Sequence, residues 1–383
     1  MLNLSQPPPL SLYIHYPWCV QKCPYCDFNS HQQQADLEKN YCRTLIDDLV
    51  NELPDIWGRS ISSIFIGGGT PSLLAVENLE FLFSQLRALL NFSPNIEITL
   101  EANPGTIDYV KFSEFKQIGI NRLSIGIQSF DDALLQILGR IHSRQEAINA
   151  IEMAHKSGFE NINLDLMFAL PGQNLKQAKG DLQQALELQT QHLSYYQLTI
   201  EPNTAFSHQP PKLPNDELSY AIQKQGHELL NLHGIEQYEI SAWSKPGYQS
   251  RHNLNYWQFG DYLGVGAGAH GKITQVAEQA IYRSWKLKQP QQYIQGKSQR
   301  FLGEKRKVAE QDLQFEFMLN SLRLTQGVER DLFYQTTGIP IFKLQPQLNT
   351  ALERGLLMED SKRICATKLG FQYLNDLQEI FLI

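Results

Sequence analysis

Tyr13-Ile-His-Tyr-Pro-Trp-Cys19-Val-Gln-Lys-Cys23-Pro-Tyr-Cys26-Asp-Phe-Asn-Ser-His31 places three cysteines at C-x3-C-x2-C spacing, just after a strand-like run at residues 12–15. Thiolates are the soft ligands that iron–sulfur clusters and zinc prefer. Three of them within eight residues must point inward from one tight loop. Pro24 stiffens that loop, and three aromatic residues are expected to keep water away from it: Trp18, Tyr25 and Phe28.

The odd number of cysteines favours a [4Fe–4S] cluster held by Cys19, Cys23 and Cys26. Three protein ligands leave one iron open to a small molecule, whereas structural zinc sites normally close with four ligands. Two alternatives remain at this point. One is a zinc site completed by His15 or His31, and the other is three incidental buried cysteines.

The composition is that of an ordinary globular chain, with 383 residues, 42% hydrophobic and 19% charged, and a formal net charge of −7. This acidity argues against a nucleic-acid partner, which usually requires a basic face. No apolar run approaches the roughly 20 residues that span a bilayer. The first ten residues lack the features of a signal peptide. We therefore expect a cytoplasmic protein, in which Cys42 and Cys365 are ordinary thiols.

Strand, loop and helix alternate along the first 200 residues, which indicates a parallel sheet with helical crossovers. Six strands are predicted, at residues 12–15, 62–66, 96–100, 122–127, 161–167 and 193–200. Six is fewer than the eight of a closed barrel, so the predicted fold class is α/β with a partial (β/α)6 barrel. The predicted divisions are a barrel domain at 1–245, an aromatic and glycine-rich connecting region at 246–308, and a small winged-helix-like domain at 309–383, with residues 355–367 as its β-hairpin.

Unusual residues follow the C-terminal ends of these strands: the cysteine loop, the segment Gly67–Thr70, Glu101, Gln128 and Asp165. In parallel α/β sheets and barrels, the ligand site lies at this edge. Each residue alone would indicate little, but their common position predicts one shared site.

The cysteine loop followed by Gly-Gly-Gly-Thr-Pro resembles the radical S-adenosylmethionine (SAM) superfamily, whose fold is such a partial barrel. The resemblance implies that the open iron is chelated by the methionine part of SAM. Gly68, Gly69 and Thr70 suit its methionyl end, because a glycine-rich strand end lets the backbone approach a ligand. The other SAM contacts rest mainly on resemblance: Glu101 for a ribose hydroxyl or the amino group, Gln128 and Asp165 for the ribose, Arg140 for the carboxylate, and Tyr13 and Tyr25.

Ten motifs, including the cysteine loop and the glycine run, are similar in order to the branch that contains the oxygen-independent coproporphyrinogen III dehydrogenases (HemN) and the HemW family: YIHYPWC, CPYCDFNSH, IGGGTPS, EANPGT, NRLSIGIQSF, LGRIH, NLDLMFALPGQ, YQLTIEPNT, HNLNYW and GVGAGAHG. Three features favour HemW. Phe28 stands where the dehydrogenases carry a fourth cysteine, only 18 residues precede Cys19, and HNLNYW matches the HNxxYW motif of HemW.

This resemblance implies a heme chaperone with a [4Fe–4S] cluster and SAM that delivers heme to respiratory membrane cytochromes. Transient membrane association and a homodimer are compatible with that role. The alternative is a coproporphyrinogen III dehydrogenase acting in porphyrin metabolism; we expect that activity to be absent and leave open whether SAM is cleaved.

His252 is a candidate axial ligand for heme iron, with Tyr256 and Trp257 as aromatic neighbours for the porphyrin. The alternative is that HNLNYW forms a packed, hydrogen-bonded corner of the domain. A cysteine thiolate or His270 could then be the ligand instead. No C-x-x-C-H motif is present, so covalent heme attachment is not expected.

Overall fold

The computed structural model describes residues 2–106, 108–296 and 301–382. Its strands are β1 (Leu10–Tyr16), β2 (Trp18–Cys19), β3 (His31–Gln32), β4 (Ser60–Gly68), β5 (Asn91–Ala102), β6 (Arg122–Gln128), β7 (Asn161–Phe168), β8 (His192–Gln197), β9 (Glu236–Glu239), β10 (Ala242–Ser244), β11 (Asp261–Val265), β12 (His270–Gln275), β13 (Ala280–Lys286), β14 (Leu302–Lys307), β15 (Val328–Glu329) and β16 (Arg363–Ile364). Its α-helices are α1 (Glu38–Glu52), α2 (Val76–Leu89), α3 (Tyr109–Ile118), α4 (Asp132–Ile137), α5 (Arg144–Lys156), α6 (Leu175–Glu187), α7 (Ala205–His208), α8 (Asp216–Leu232), α9 (Arg251–Trp257), α10 (Pro290–Gln295), α11 (Glu310–Ser321), α12 (Arg330–Thr337), α13 (Gln345–Glu353), α14 (Lys368–Gln372) and α15 (Leu374–Glu379).

One large sheet organises the chain, in the order β14-β13-β12-β11-β1-β4-β5-β6-β7-β8-β10-β9. Its centre, from β11 to β8, is parallel throughout. Antiparallel strands extend both edges, with β12 to β14 beside β11 and β10 with β9 beside β8. The α/β prediction and all six predicted parallel strands are confirmed.

The side chains of the parallel strands alternate between two environments. On β6, Leu123 and Ile125 lie in the main hydrophobic core with buried residues of the flanking helices. Ser124 and Gln128 point to the opposite face and line a cavity. Since successive side chains of a strand point to opposite faces, the sheet has an apolar face under the helices and a polar concave face. Strand register aligns Gly126, Asp165 and Ser194 on three neighbouring strands of that polar face.

Residues 246–308 contain more regular structure than the sequence indicated. We predicted no strand there, but β11 joins the parallel sheet directly beside β1, and β12 to β14 follow it. A buried ion pair supports this region, because Lys272 of β12 lies 2.9 Å from Asp261 of β11. The connecting region therefore belongs to the same sheet as the predicted barrel strands.

The C-terminal helices form a second hydrophobic cluster around Phe317, Phe333 and Leu348, which Phe259 joins from the preceding region. The predicted β-hairpin at 355–367 is only partly present. Its strand β16 pairs with the distant β15 rather than with a neighbouring strand, and a single bridge joins Leu357 to Ala366. Among the described residues, no helix is both long enough and apolar enough to cross a bilayer.

Candidate functional site

The cysteine loop leaves the sheet at the end of β1. Its two ends are held together by parallel pairing of β2 with β3, which sets Trp18 opposite His31. Inside the loop, the amide of Cys26 donates to the carbonyl of Cys23 at 3.1 Å, which makes a tight turn. All three thiol-bearing residues are partly exposed and none forms a disulfide. Trp18 is buried as expected, but Phe28 is 58% exposed and does not shield the loop.

The glycines at the end of β4 are held against this loop. The amide of Gly69 donates to the carbonyl of Tyr16, and that of Thr70 to the carbonyl of Trp18, each at 2.7 Å. A Cβ on Gly68 would lie 2.4 Å from the ring of His15, and one on Gly69 would lie 2.5 Å from the carbonyl oxygen of Trp18. Gly68 also has a φ of +113°, which L side chains rarely adopt. Glycine is therefore required here for the close approach of two backbone segments.

A cavity of about 480 Å³, which we call the thiol cavity, collects the residues of these strand ends. The predicted site residues that line it are Cys19, Cys23, Cys26, Tyr25, Gly68, Gly69, Thr70, Glu101, Gln128, Arg140 and Asp165. The structure thus brings together residues that lie up to 146 positions apart in the sequence, counting from Cys19 to Asp165. Tyr13 is the predicted contact that does not line this cavity.

Two carboxyl groups face the thiol cavity. Glu101 accepts a hydrogen bond from the amide of Gly68 at 2.9 Å. Burial, with a further contribution from the charge of Asp165, raises the pKa of Glu101 to about 8. Burial also raises the pKa of Asp165, although Asn163 donates to it at 2.8 Å and Ser124 at 3.2 Å. Near neutral pH Glu101 is therefore largely protonated and can donate a hydrogen bond as well as accept one.

Gln128 and Arg140 border the cavity from β6 and from the turn after α4. Gln128 has a φ of +72° and accepts a hydrogen bond from the hydroxyl of Tyr196 at 2.9 Å. Arg140 donates to the carbonyl of Gly126 at 2.6 Å and to the sulfur of Cys23 at 3.6 Å. Its Nε is buried and has no hydrogen-bond partner among the described residues. Arg140 therefore brings a fixed positive charge to the cysteine loop and keeps one donor unused.

These features fit a cluster with a small polar ligand. Three thiols share one cavity wall with a glycine edge where any Cβ would clash, and with an arginine that has an unpartnered donor. Within the described ranges, no three His, Cys, Asp or Glu side chains are arranged to hold a single metal ion. The donor set of soft sulfur atoms suits iron–sulfur chemistry.

A second cavity, of about 800 Å³, adjoins the first one. The two share Lys22, Asp27, Phe28, Ser30, Gly68 and Glu101 as lining residues. The remaining wall of the second cavity is largely aromatic and cationic: Tyr13, Tyr256, Trp257, Phe259, Tyr262, Lys272, Arg283 and Lys288, with the histidines His15, His31 and His270. Arg283 of β13 and Lys288, two residues after the end of β13, could not be found from the sequence, because isolated cations form no motif.

The HNLNYW motif divides between the core and the second cavity. His252 is 1% exposed, and its two ring nitrogens are hydrogen-bonded to Ser63 Oγ at 3.0 Å and to the hydroxyl of Tyr256 at 2.9 Å. It lines neither of the two cavities, whereas Tyr256 and Trp257 both line the second. In this arrangement His252 has no ring nitrogen free for iron, which is the packed, hydrogen-bonded corner that we considered as the alternative.

The chain matches two family models, the Radical SAM superfamily over residues 13–185 and the HemN C-terminal domain over residues 308–373. It is similar to coproporphyrinogen III oxidase (HemN) from Escherichia coli, with a TM-score of 0.83 at 22% identity over 98% of this chain and 90% of that one. At that identity the likeness shows the fold alone.

Curated relatives are similar over nearly the whole chain. The heme chaperones HemW of Haemophilus influenzae and Escherichia coli are both 48% identical, each over 98% of this chain and 98% of the relative. The heme chaperone HemW of Bacillus subtilis is 35% identical over 97% of this chain and 99% of the relative. Together with the sheet, the cysteine loop and the two matched domains, these likenesses show that the chain belongs to the HemW family of the radical SAM superfamily.

Proposed function

We propose that this protein is a heme chaperone that binds heme together with a [4Fe–4S] cluster and SAM, and delivers heme to respiratory membrane cytochromes from the cytoplasm. The observation that carries the proposal is the near-complete coverage of relatives that are themselves named heme chaperones. The two adjoining cavities support it, since one can hold the cluster with SAM while the other holds a larger molecule.

Cys19, Cys23 and Cys26 are the proposed cluster ligands. When bound, the cluster would supply one-electron chemistry to SAM. The protein's own part is binding and orientation. The backbone of Gly68, Gly69 and Thr70 would hold the methionyl end of SAM. Polar and charged groups that line the cavity would contact its remaining atoms: Tyr25, Glu101, Gln128, Arg140 and Asp165.

The three residues of the HNLNYW motif that were predicted to contact heme have different roles in this proposal. Tyr256 and Trp257 form part of the wall of the second cavity. His252 holds the hydroxyl of Tyr256, as a positioning residue. Its ring also lies 5.1 Å from that of Phe65, between centroids, which fixes it in the core.

Anaerobic reconstitution followed by heme titration tests the proposal. Purified protein should take up heme at one equivalent and develop a Soret band. A flat titration, with cluster content confirmed by iron and sulfide analysis, would refute the chaperone function.

The same reconstituted protein can be used to test the alternative function, that of a coproporphyrinogen III dehydrogenase. Incubation with a reductant, SAM and coproporphyrinogen III should leave the porphyrinogen unchanged. Formation of protoporphyrinogen IX would show instead that the chain is a dehydrogenase, and that Phe28 in place of a fourth cysteine does not prevent this activity.

A further inference from the structure

We propose that the second cavity is the heme site, that His270 supplies the imidazole for the iron, and that Lys22 and Lys288 bind the two porphyrin carboxylates. This inference rests on the proposed heme chaperone function and assigns its cargo to a place in the fold. It also replaces His252 as the iron ligand.

The size and surface of the cavity suit a large flat aromatic molecule. Its volume of about 800 Å³ lies within the range of roughly 300–1,000 Å³ that is usual for small-molecule and cofactor sites. Tyr256 and Tyr262 meet edge to face, with ring centroids 4.5 Å apart, and Trp257 lies beside them. Phe28 adds an exposed ring on the side of the cysteine loop. Aromatic faces of this kind give porphyrins large contact areas.

Elimination among the histidines of this cavity points to His270. His15 is closed to iron, because Nδ1 accepts from Tyr13 at 3.0 Å and Nε2 donates to the carbonyl of Asn29 at 2.9 Å. His31 has Nε2 bonded to the side-chain oxygen of Asn29 at 3.2 Å, which leaves only one of its ring nitrogens for a ligand. His270 is exposed to the cavity and forms no hydrogen bond through its ring with any residue that the structure describes.

The cations that line this cavity likewise differ in whether they already have an acidic partner. Lys272 is committed to Asp261, and Arg283 to Glu316 at 2.7 Å. Lys22 donates to the backbone carbonyls of Phe28 at 3.1 Å and Ser30 at 3.4 Å, but neither it nor Lys288 pairs with a carboxylate in the described part of the chain. Two lysines without acidic partners match the two propionates of heme in number and sign.

Titration with hemin and with its dimethyl ester, which lacks the carboxylates, tests both assignments. His270→Ala should shift the Soret maximum and weaken hemin binding at least tenfold, as loss of an axial ligand does. Lys22→Ala combined with Lys288→Ala should weaken hemin binding about tenfold but leave the binding of the dimethyl ester unchanged. His233→Ala, an exposed histidine outside both cavities, is the matched control and should bind as the wild type does.

The outcomes separate this inference from the function on which it rests. Wild-type protein that takes up no heme would refute the chaperone function itself. Wild-type binding that survives in His270→Ala with the same Soret maximum and affinity would overturn only the site. Loss of the band in His252→Gln, at an unchanged melting temperature, together with a normal His270→Ala variant, would overturn it too and return the ligand to α9.

Discussion

Replacing Gly68 by alanine tests whether the glycine edge of the thiol cavity is required by sterics. Gly68 ends β4 with a φ of +113°, and the added Cβ would lie 2.4 Å from Cε1 and 2.6 Å from Nδ1 of His15. The ring cannot easily move away, because its nitrogens are held by Tyr13 and by the carbonyl of Asn29. Two separate penalties therefore act at one position.

Both penalties can be given a magnitude. A non-glycine residue in a sparsely populated backbone region costs about 1–3 kcal/mol. Overpacking a well-packed site costs about 1–3 kcal/mol more. We expect Gly68→Ala to lower the free energy of unfolding by about 2–6 kcal/mol. Gly158→Ala is the matched control, since Gly158 has a φ of +84° but nothing within 4 Å of its added Cβ. That variant should lose only about 1–2 kcal/mol.

Urea denaturation of cofactor-free protein, followed by circular dichroism, measures both variants under the same conditions. Because only Gly68→Ala adds a steric clash, we expect it to be the less stable variant by at least about 1 kcal/mol. Equal losses at the two positions would show that His15 gives way, and that the glycine serves only the backbone conformation.

Three further results are expected. The pKa of Glu101 is raised from 4.5 to about 8 in the folded protein, so the wild type loses up to about 4–5 kcal/mol of stability as the pH rises through that window. Glu101→Gln removes this carboxyl. The free energies of unfolding measured in urea at pH 5 and pH 8 should therefore differ less in the variant than in the wild type. Lys286→Met leaves the buried Asp48, now 2.6 Å from the lysine, without its cation, and thermal unfolding should show a loss of about 3–5 kcal/mol; an unchanged melting temperature would contradict this. Cys23→Ser should lower the iron content after anaerobic reconstitution to well below that of the wild type. Cys42→Ala, on the buried face of α1, should keep the iron content of the wild type. Equal iron contents in the two variants would exclude Cys23 as a ligand.

The parallel strands could be predicted because the side chains that face the helices are apolar, and because the short apolar runs end near glycine or polar residues. The strand-end residues were also predictable as a group, since parallel strands present their C-terminal ends at one edge. Glu101, Gln128 and Asp165 do line one cavity with the cysteines. What remained hidden is the extension of the sheet by β11 beside β1, because the short run Asp261–Val265 lies among glycines and aromatic residues that are typical of a turn region.

Side-chain partners were less accessible than strands. The spacing of residues along the sequence shows which of them lie on the same face of a helix, but it does not show what packs against that face. His252 and Tyr256 stand four positions apart on α9 and contact each other, yet the second partner of His252 is Ser63, which is 189 positions away. Tyr13 was assigned to SAM by resemblance, but it lies on the second cavity, bonded to His15.

The segment that follows the cysteines explains why the same loop borders both cavities. The side-chain amide of Asn29 donates to the backbone carbonyls of Ala267 and Lys288, each at 2.8 Å. The backbone carbonyl of Asn29 accepts a hydrogen bond from the ring of His15. A Cβ on Gly268 would lie 2.6 Å from this side-chain amide, so glycine is needed where the GVGAGAHG segment passes the loop. The cysteine loop is thereby fixed to the turn just before β12, the strand that begins at His270, across about 240 residues of sequence. The segment that identifies the superfamily therefore also lines the second cavity, which a cluster alone does not require. For this reason the cysteine spacing predicts a cluster but does not predict a ligand for the second cavity.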